Sequence, residues 1–294
     1  MSVIQIDRPI TVRVLFEHAV EVLTRAGVPD PEVDAQLLLG HVLGATRGQV
    51  QALTYTDSPV AVDDAVAISE TVERRATREP LQHITGTAGF RLLELAVGPG
   101  VFVPRPETEF VAGLAIDSLR VVADESPIAV DLGTGSGAIA LSLATEVPHS
   151  RVWAVENSTA AFVWARQNFR SVDARNATLV FIDLADALSE LDGQVSVVVS
   201  NPPYIPEGAI PRDPEVRLFD PEHALYGGVD GLDVVRSVSQ RALRLLRPGG
   251  TLVLEHGELQ GADIRSLLQA DGWSATATHR DLTGRDRATT ALRA

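Results

Sequence analysis

From about residue 110 the chain alternates short apolar segments with stretches of helix length, and this rhythm restricts the fold more than any other feature. Ile128–Leu132, Arg151–Glu156, Thr178–Ile182, Val195–Ser200 and Thr251–Glu255 read as strands, with helices over Ala138–Glu146, Thr159–Arg170, Leu232–Leu246 and Ile264–Leu268. Val195–Ser200 has almost no polar residue, as a strand buried on both faces requires. Pro248-Gly249-Gly250 ends a helix, and two late strands lie near Ser274–His279 and Arg287–Leu292. Such alternation predicts an α/β fold with a doubly wound, mostly parallel sheet. Ligands of these sheets sit beyond the strand C-terminal ends, where the strand order reverses. The residues that directly follow strands are therefore the candidates for a site.

The first part of the chain reads differently. Thr11 is placed to cap a helix carrying Val14, Leu15, Val22 and Leu23, which Gly27 ends. Asp30-Pro31 opens a second helix with Asp at the cap and Pro at the first position. A short third helix follows near Arg47–Leu53, and a fourth carries Val62, Ile68 and Val72, with Glu70 and Arg74 spaced for an i,i+4 pair. Arg74, Arg75 and Arg78 read as a solvated helix face, with an acidic protein partner as the alternative. Phe90–Leu95 and Val101–Val103 read as a β-hairpin turning at Gly98-Pro99-Gly100. The expected domains are a helical one at 1–83, the hairpin linker at 84–109 and the sheet domain at 110–294.

Composition narrows the chemistry. The formal charge of −14 opposes sequence-independent binding to nucleic acid, which needs cations against phosphates. There is no cysteine, and all 25 Lys or Arg residues are arginine, so thiolate nucleophiles, Schiff-base lysines and P-loop lysines are excluded. Met1–Gln5 shows no signal-peptide pattern and no apolar run is long enough to span a bilayer, so the cytoplasm is the expected location, with no membrane partner. The seven histidines show no ligand spacing with acids, and no metal is expected. His256 reads as a hydrogen-bonded structural residue, with a general base as the alternative. Trp153 and Trp164 read as core.

Two loops carry the chemistry. Asp131-Leu132-Gly133-Thr134-Gly135-Ser136-Gly137 follows the first sheet strand and opens a helix, and its glycines let backbone approach a ligand closely. Asp131 can meet a cationic amino acid or order the turn, and Gly137 clears space for a methionine tail. Glu156, ending the next strand, can accept from ribose hydroxyls; Asp183 can accept from an adenine amine, with Leu184 packing on the base. The loop alone also fits a dinucleotide. At the end of the fourth strand stands Asn201-Pro202-Pro203-Tyr204. Its prolines fix an extended backbone, so the Asn201 side-chain oxygen and the Pro202 carbonyl form two rigid acceptors for one NH2 group. Tyr204 can pack on the planar group and attract developing positive charge. Residues 205–230 form a long loop, either a cover over the acceptor or a disordered surface segment.

Taken in order, Val103-Pro104-Arg105-Pro106-Glu107-Thr108-Glu109, Asp131–Gly137, Asn201–Tyr204, Leu225–Leu232 (LYGGVDGL) and Leu254-Glu255-His256-Gly257 resemble the protein-(glutamine-N5) methyltransferases that modify peptide chain release factors, the PrmC/HemK family. The resemblance covers nearly the whole chain. It implies a Rossmann-like class I methyltransferase sheet with S-adenosyl-L-methionine as donor and S-adenosyl-L-homocysteine as product. Asp131, Gly133, Thr134, Gly135, Ser136, Gly137, Glu156, Asp183, Leu184 and Asn201 would bind the donor. Asn201, Pro202 and Tyr204 would be catalytic. Phe102, Asn201, Pro202, Pro203 and Tyr204 would hold the glutamine of a Gly-Gly-Gln loop, and the N-terminal helices would meet the rest of the factor. A monomer with a release factor as its protein substrate is expected. Departures are Glu156 and Asp220, each the other acid from the family's usual one, and leucine in place of tryptophan at 184. Adenine-N6 methylation of nucleic acid and a non-catalytic, donor-sensing module are the alternatives.

Overall fold

The structure, a computed structural model, describes residues 10–294; the Met1–Gln5 segment lies outside them. Two compact units emerge, one of the chain up to Gly86 together with Pro211–Phe219, the other of Thr87–Ile210 and Asp220–Ala294.

The first unit begins with α1 (Val12–Arg25), α2 (Pro31–Leu43), α3 (Arg47–Tyr55), α4 (Val62–Ala76) and the short α5 (Leu81–Thr85). Thr11 caps α1 as its sequence position implies, accepting from the Val14 amide at 3.4 Å, while its hydroxyl donates to Asp57 at 2.6 Å. Asp30 stands at the α2 cap but makes no side-chain cap bond; Pro31 starts that helix. Leu15, Leu23, Leu38, Leu39, Ile68 and Val72 form its buried core, each worth about 1.5–3 kcal/mol of transfer free energy.

The second unit opens with the hairpin β1 (Thr87–Phe90) and β2 (Leu93–Ala96). Its turn is at Arg91-Leu92, with Phe90 paired to Leu93, and not at Gly98-Pro99-Gly100. That later turn lies against Trp164: a Cβ on Gly98 would come within 2.4 Å of the indole, so only glycine fits. Val101–Val103 is accordingly not a strand. Then comes α6 (Pro106–Arg120), a helix not anticipated at the domain junction although Pro106 at its first position and Glu107 and Glu109 in its first turn announce one.

The sheet follows as β3 (Ile128–Leu132), α7 (Ala138–Glu146), β4 (Arg151–Glu156), α8 (Thr159–Val172), β5 (Ala177–Phe181), β6 (Val195–Ser200), α9 (Pro214–Phe219), α10 (Asp233–Leu245), β7 (Leu246–Glu255), α11 (Gly261–Ala270), β8 (Trp273–Arg280) and β9 (Asp286–Arg293). Among the described residues it has seven strands in the order β5-β4-β3-β6-β7-β9-β8. The first five run parallel, and β9 pairs antiparallel with both β7 and β8. Ala129, Val197, Val199 and Val253 pack with α6 and α7 on one face, while Val130, Val198, Leu252 and Leu254 pack with α10 and α11 on the other. Burial on both faces explains the polar-free strands. Pro248-Gly249-Gly250 lies inside β7 as an irregularity, because Val195 pairs with Leu246 and Val197 only with Thr251.

Of Arg74, Arg75 and Arg78, only Arg74 is exposed. Arg75, 6% exposed, donates to Asp34 at 2.7 Å and pairs with Glu215 at 2.8 Å. Arg78 grips Glu215 with two bonds, 2.7 and 2.6 Å. Arg74 pairs with Glu79 and not Glu70. Glu215 belongs to α9, within the 205–230 loop, and buried ion pairs anchor this middle part in the helical unit. Burial alone would raise the Glu215 pKa, yet bonds from Arg78 and Arg75 hold it down at about 2.

Candidate active site

Strand order reverses between β3 and β6, since β4 and β5 extend one way and β7 the other. The glycine loop leaves β3 and Asn201 leaves β6 at this point, the expected position for a ligand.

The glycine loop is held by its neighbours. Gly133 and Thr134 amides donate to the Val155 carbonyl, each at 2.9 Å. Gly133, Gly135 and Gly137 have φ of +77°, +59° and +89°, which side chains resist. Space beside Gly133 and Gly135 is open, with nothing within 4 Å of an added Cβ. An added Cβ on Gly137 would meet Phe169 at 3.0 Å and Leu141 at 3.3 Å, so this glycine also allows the packing of α8 on α7. Thr134 spends its hydroxyl on Asp131 Oδ2 at 2.6 Å, and the Ser136 carbonyl accepts from Asn168 at 2.9 Å.

Asp131 orders the turn, since its Oδ2 also accepts from the Ala140 amide at 3.1 Å. Its Oδ1 is buried and has no partner. Burial pushes the Asp131 pKa up to about 7, against the bonds from Thr134 and Ala140. A buried carboxylate oxygen lacking a donor beside this loop suits an ammonium group and repels a pyrophosphate. The residues present thus fit a donor that carries an amino acid better than they fit a dinucleotide. Glu156 closes the loop: Oε2 accepts from the Gly135 amide at 2.8 Å, and Oε1 from the Asn157 and Ser158 amides at 3.0 and 2.8 Å. Asp183, exposed, accepts from Asn157 Nδ2 at 2.9 Å, and Leu184 packs against the core under the sheet.

Asn201-Pro202-Pro203-Tyr204 is braced from below. The Ile205 amide donates to Leu225 and Gly227 donates back to Ile205, both at 2.9 Å. Gln260 Nε2 donates to the Tyr204 carbonyl at 2.9 Å. A Cβ on Gly227 would stand 2.5 Å from the Pro203 oxygen, and one on Gly231 2.4 Å from the Tyr204 oxygen. The glycines of Tyr226-Gly227-Gly228-Val229-Asp230-Gly231 are therefore the condition for two backbones to stack here. Asn201 donates through Nδ2 to the Thr108 hydroxyl at 3.4 Å. Within the described residues its Oδ1 and the Pro202 carbonyl accept no hydrogen bond. Phe102 lies under the Arg105 guanidinium, 5.0 Å from the ring centre, and Arg105 pairs with Asp220 at 2.8 Å.

His256 is fully buried, with Nδ1 2.9 Å from the Gly257 carbonyl and Nε2 2.9 Å from the Thr289 hydroxyl. Burial lowers its pKa, and both ring nitrogens are engaged, which leaves no base. Sequence reasoning did not single out Thr108 and Glu255, both buried beside Asn201. A signal existed, because both fall within motifs recognised as blocks, Pro-Arg-Pro-Glu-Thr-Glu and Leu-Glu-His-Gly.

Comparison with known proteins gives the class first. Residues 94–219 match the methyltransferase small domain. The fold is similar to a 16S rRNA N2 G1207 methyltransferase of T. thermophilus, solved with AdoMet and guanosine, with TM-score 0.52 and 22% identity over 71% of this chain and 50% of that one. The chain is a Rossmann-like methyltransferase. In the N-terminal unit, residues 15–86 match the PrmC N-terminal domain. The release factor glutamine methyltransferase of Streptomyces coelicolor is 50% identical over 281 residues, 94% of this chain and 96% of that protein. The protein of that name from Bifidobacterium longum is 44% identical over 283 residues, 93% and 96% of the two chains. The chain belongs to the release factor glutamine methyltransferase family.

Proposed function

We propose that this protein transfers a methyl group from S-adenosyl-L-methionine to the side-chain amide nitrogen, N5, of the glutamine in the Gly-Gly-Gln loop of a peptide chain release factor, leaving S-adenosyl-L-homocysteine. One observation carries the reading: two acceptors, Asn201 Oδ1 and the Pro202 carbonyl, stand without donors where the strand order reverses, next to the glycine loop. An NH2 group has two hydrogens to give. Gripping both would fix the nitrogen's direction and favour the positive charge that grows on it. No base is needed first, because the nitrogen's proton becomes more acidic once the methyl is attached. When bound, S-adenosyl-L-methionine supplies an electrophilic methyl carbon. Asp131 Oδ1 would take its ammonium, Gly133–Gly137 its backbone, Glu156 its ribose and Asp183 with Leu184 its adenine. Phe102 would pack along the methylenes of the glutamine and Tyr204 over its amide plane.

The helical unit would meet the body of the factor, and it carries an open groove of about 470 Å³ lined by Arg13, Phe16, Gln51 and Tyr55 among others. The net charge of −14 favours a protein over a nucleic-acid acceptor. Among the described residues no helix is long and apolar enough to cross a membrane, and a cytoplasmic monomer is the arrangement proposed. The test offers labelled donor with release factor, with nucleic acid and with no acceptor, in parallel. Label confined to the Gly-Gly-Gln glutamine supports the reading; label on nucleic acid alone overturns it.

A further inference from the structure

An asparagine amide can present either its oxygen or its nitrogen to a ligand, and the two ends look alike in shape. For Asn201 the difference is decisive, because only the oxygen can accept from an incoming NH2. Something must hold the side chain the right way round. Resting on the reading just given, we propose that the Glu255 carboxylate, acting through the Thr108 hydroxyl, fixes the orientation of the Asn201 amide, and that Thr108 and Glu255 are positioning residues for methyl transfer.

The register brings the three together. Ser200 on β6 pairs with Leu254 on β7, so Asn201 and Glu255 are the next residues at adjoining strand ends. Thr108, in the first turn of α6, is 4% exposed, and Glu255 is 2% exposed. Asn201 Nδ2 donates to Thr108 Oγ1 at 3.4 Å. The Thr108 hydroxyl and the Tyr204 phenol both favour the charged form of the Glu255 carboxylate, whose Oε2 is buried with no hydrogen-bond partner.

The logic is that of donors and acceptors. An ionised carboxylate only accepts, so a Thr108 proton given to Glu255 cannot also be given to Asn201. Thr108 can then only accept from Asn201, which draws Nδ2 toward itself and turns Oδ1 the other way. Remove the charge and the constraint goes. A neutral partner can donate to Thr108, Thr108 can donate to Oδ1, and the flipped Asn201 would meet the substrate NH2 with its own. The groups facing Glu255 are Arg287 on β9, Glu107 on α6 and Tyr204. Burial pushes its pKa up to about 7, while Thr108 and Arg287 pull it back. A nearby sulfonium would lower it further.

The test compares wild type with Glu255→Gln, Thr108→Val and Thr108→Ser, measuring donor affinity by calorimetry and methyl transfer to release factor as separate kcat and KM. The expectation is a kcat loss on the order of tenfold to a hundredfold in Glu255→Gln and Thr108→Val, with donor Kd and release-factor KM within about threefold. Thr108→Ser keeps the hydroxyl and stays within about threefold of wild type. The wild-type kcat rises with pH through a step at or below about pH 7; Glu255→Gln stays low without that step. Full kcat in Glu255→Gln, or equal loss in the serine and valine variants, overturns the proposal. A protein inactive on release factors would instead defeat the proposed function. The relay would then be read by NMR, as hydrogen-bonded Asn201 side-chain NH2 signals that persist in Thr108→Ser and vanish in Thr108→Val. Signals unchanged in the valine variant would count against it.

Discussion

Glu255→Gln has a thermodynamic consequence independent of catalysis. The carboxyl is buried and its folded pKa lies near 7, above the ordinary 4.5. A group whose pKa is raised by folding favours the native state fully below its unfolded pKa, and that contribution is lost as pH rises through the folded value. Between pH 5 and pH 9 the two pKa values correspond to a loss of about 2.5 kcal/mol in wild type, at about 1.4 kcal/mol per pKa unit. Glutamine carries no such cost. The stability difference between variant and wild type should therefore shift by about 2–3 kcal/mol in favour of the variant over this range. Any pH-independent effect of the substitution cancels in that comparison, and Asp131, present in both proteins, cancels too. Urea unfolding at the two pH values, followed by tryptophan fluorescence, measures it. All three tryptophans, Trp153, Trp164 and Trp273, lie in the sheet unit and report the right transition. A variant that is more stable at pH 9 yet slower in methyl transfer would show stability given up for function. A stability difference equal at both pH values refutes the claim that a buried charge is held there.

Three further perturbations follow from the geometry. Asp131→Asn removes the unpartnered carboxylate of the glycine loop and should weaken donor binding by about tenfold to a hundredfold; in wild type, calorimetry should show affinity rising as pH climbs toward and past about 7, and in the variant a flat profile. Gly231→Ala puts a Cβ 2.4 Å from the Tyr204 carbonyl at a φ of +76°; the displaced turn should cost methyl transfer on the order of a hundredfold, and a normal rate would deny that this glycine sets the turn. Glu215→Ala leaves Arg75 and Arg78 without their shared partner and should destabilise the anchored loop by about 2–4 kcal/mol. Trypsin should then cut faster at Arg212 and Arg217, and unchanged digestion would mean the ion pairs do not hold the segment.

The sheet was legible because its signals are local and periodic. Val195–Ser200 could only be a strand buried on both faces, and the Gly133–Gly137 and Asn201–Tyr204 blocks directly follow strands. What escaped depended on partners distant in sequence. The hairpin turns at Arg91, with φ of +51°, and not at the glycines, because Gly98 is required by Trp164 66 positions onward. Arg75 and Arg78 looked solvent-facing on their own helix; Glu215, 137 residues beyond Arg78, turns them inward. Helix α6 was hidden by a proline-rich start that reads equally as a linker. Thr108 and Glu255 lay inside recognised motifs but were not singled out, for the same reason: each is unremarkable alone, and their meaning comes from the approach of α6 and β7 to Asn201.

The most direct measurement is mass spectrometry of a release factor incubated with S-adenosyl-L-methionine and either wild type or Asn201→Ala. Wild type should add one methyl group to the side chain of the Gly-Gly-Gln glutamine, and the variant should do so at least about a hundredfold more slowly while still folded. An unmodified glutamine after incubation with active, folded wild type, or an unchanged rate in the variant, contradicts the claim that two fixed acceptors at residues 201 and 202 hold the reacting amide.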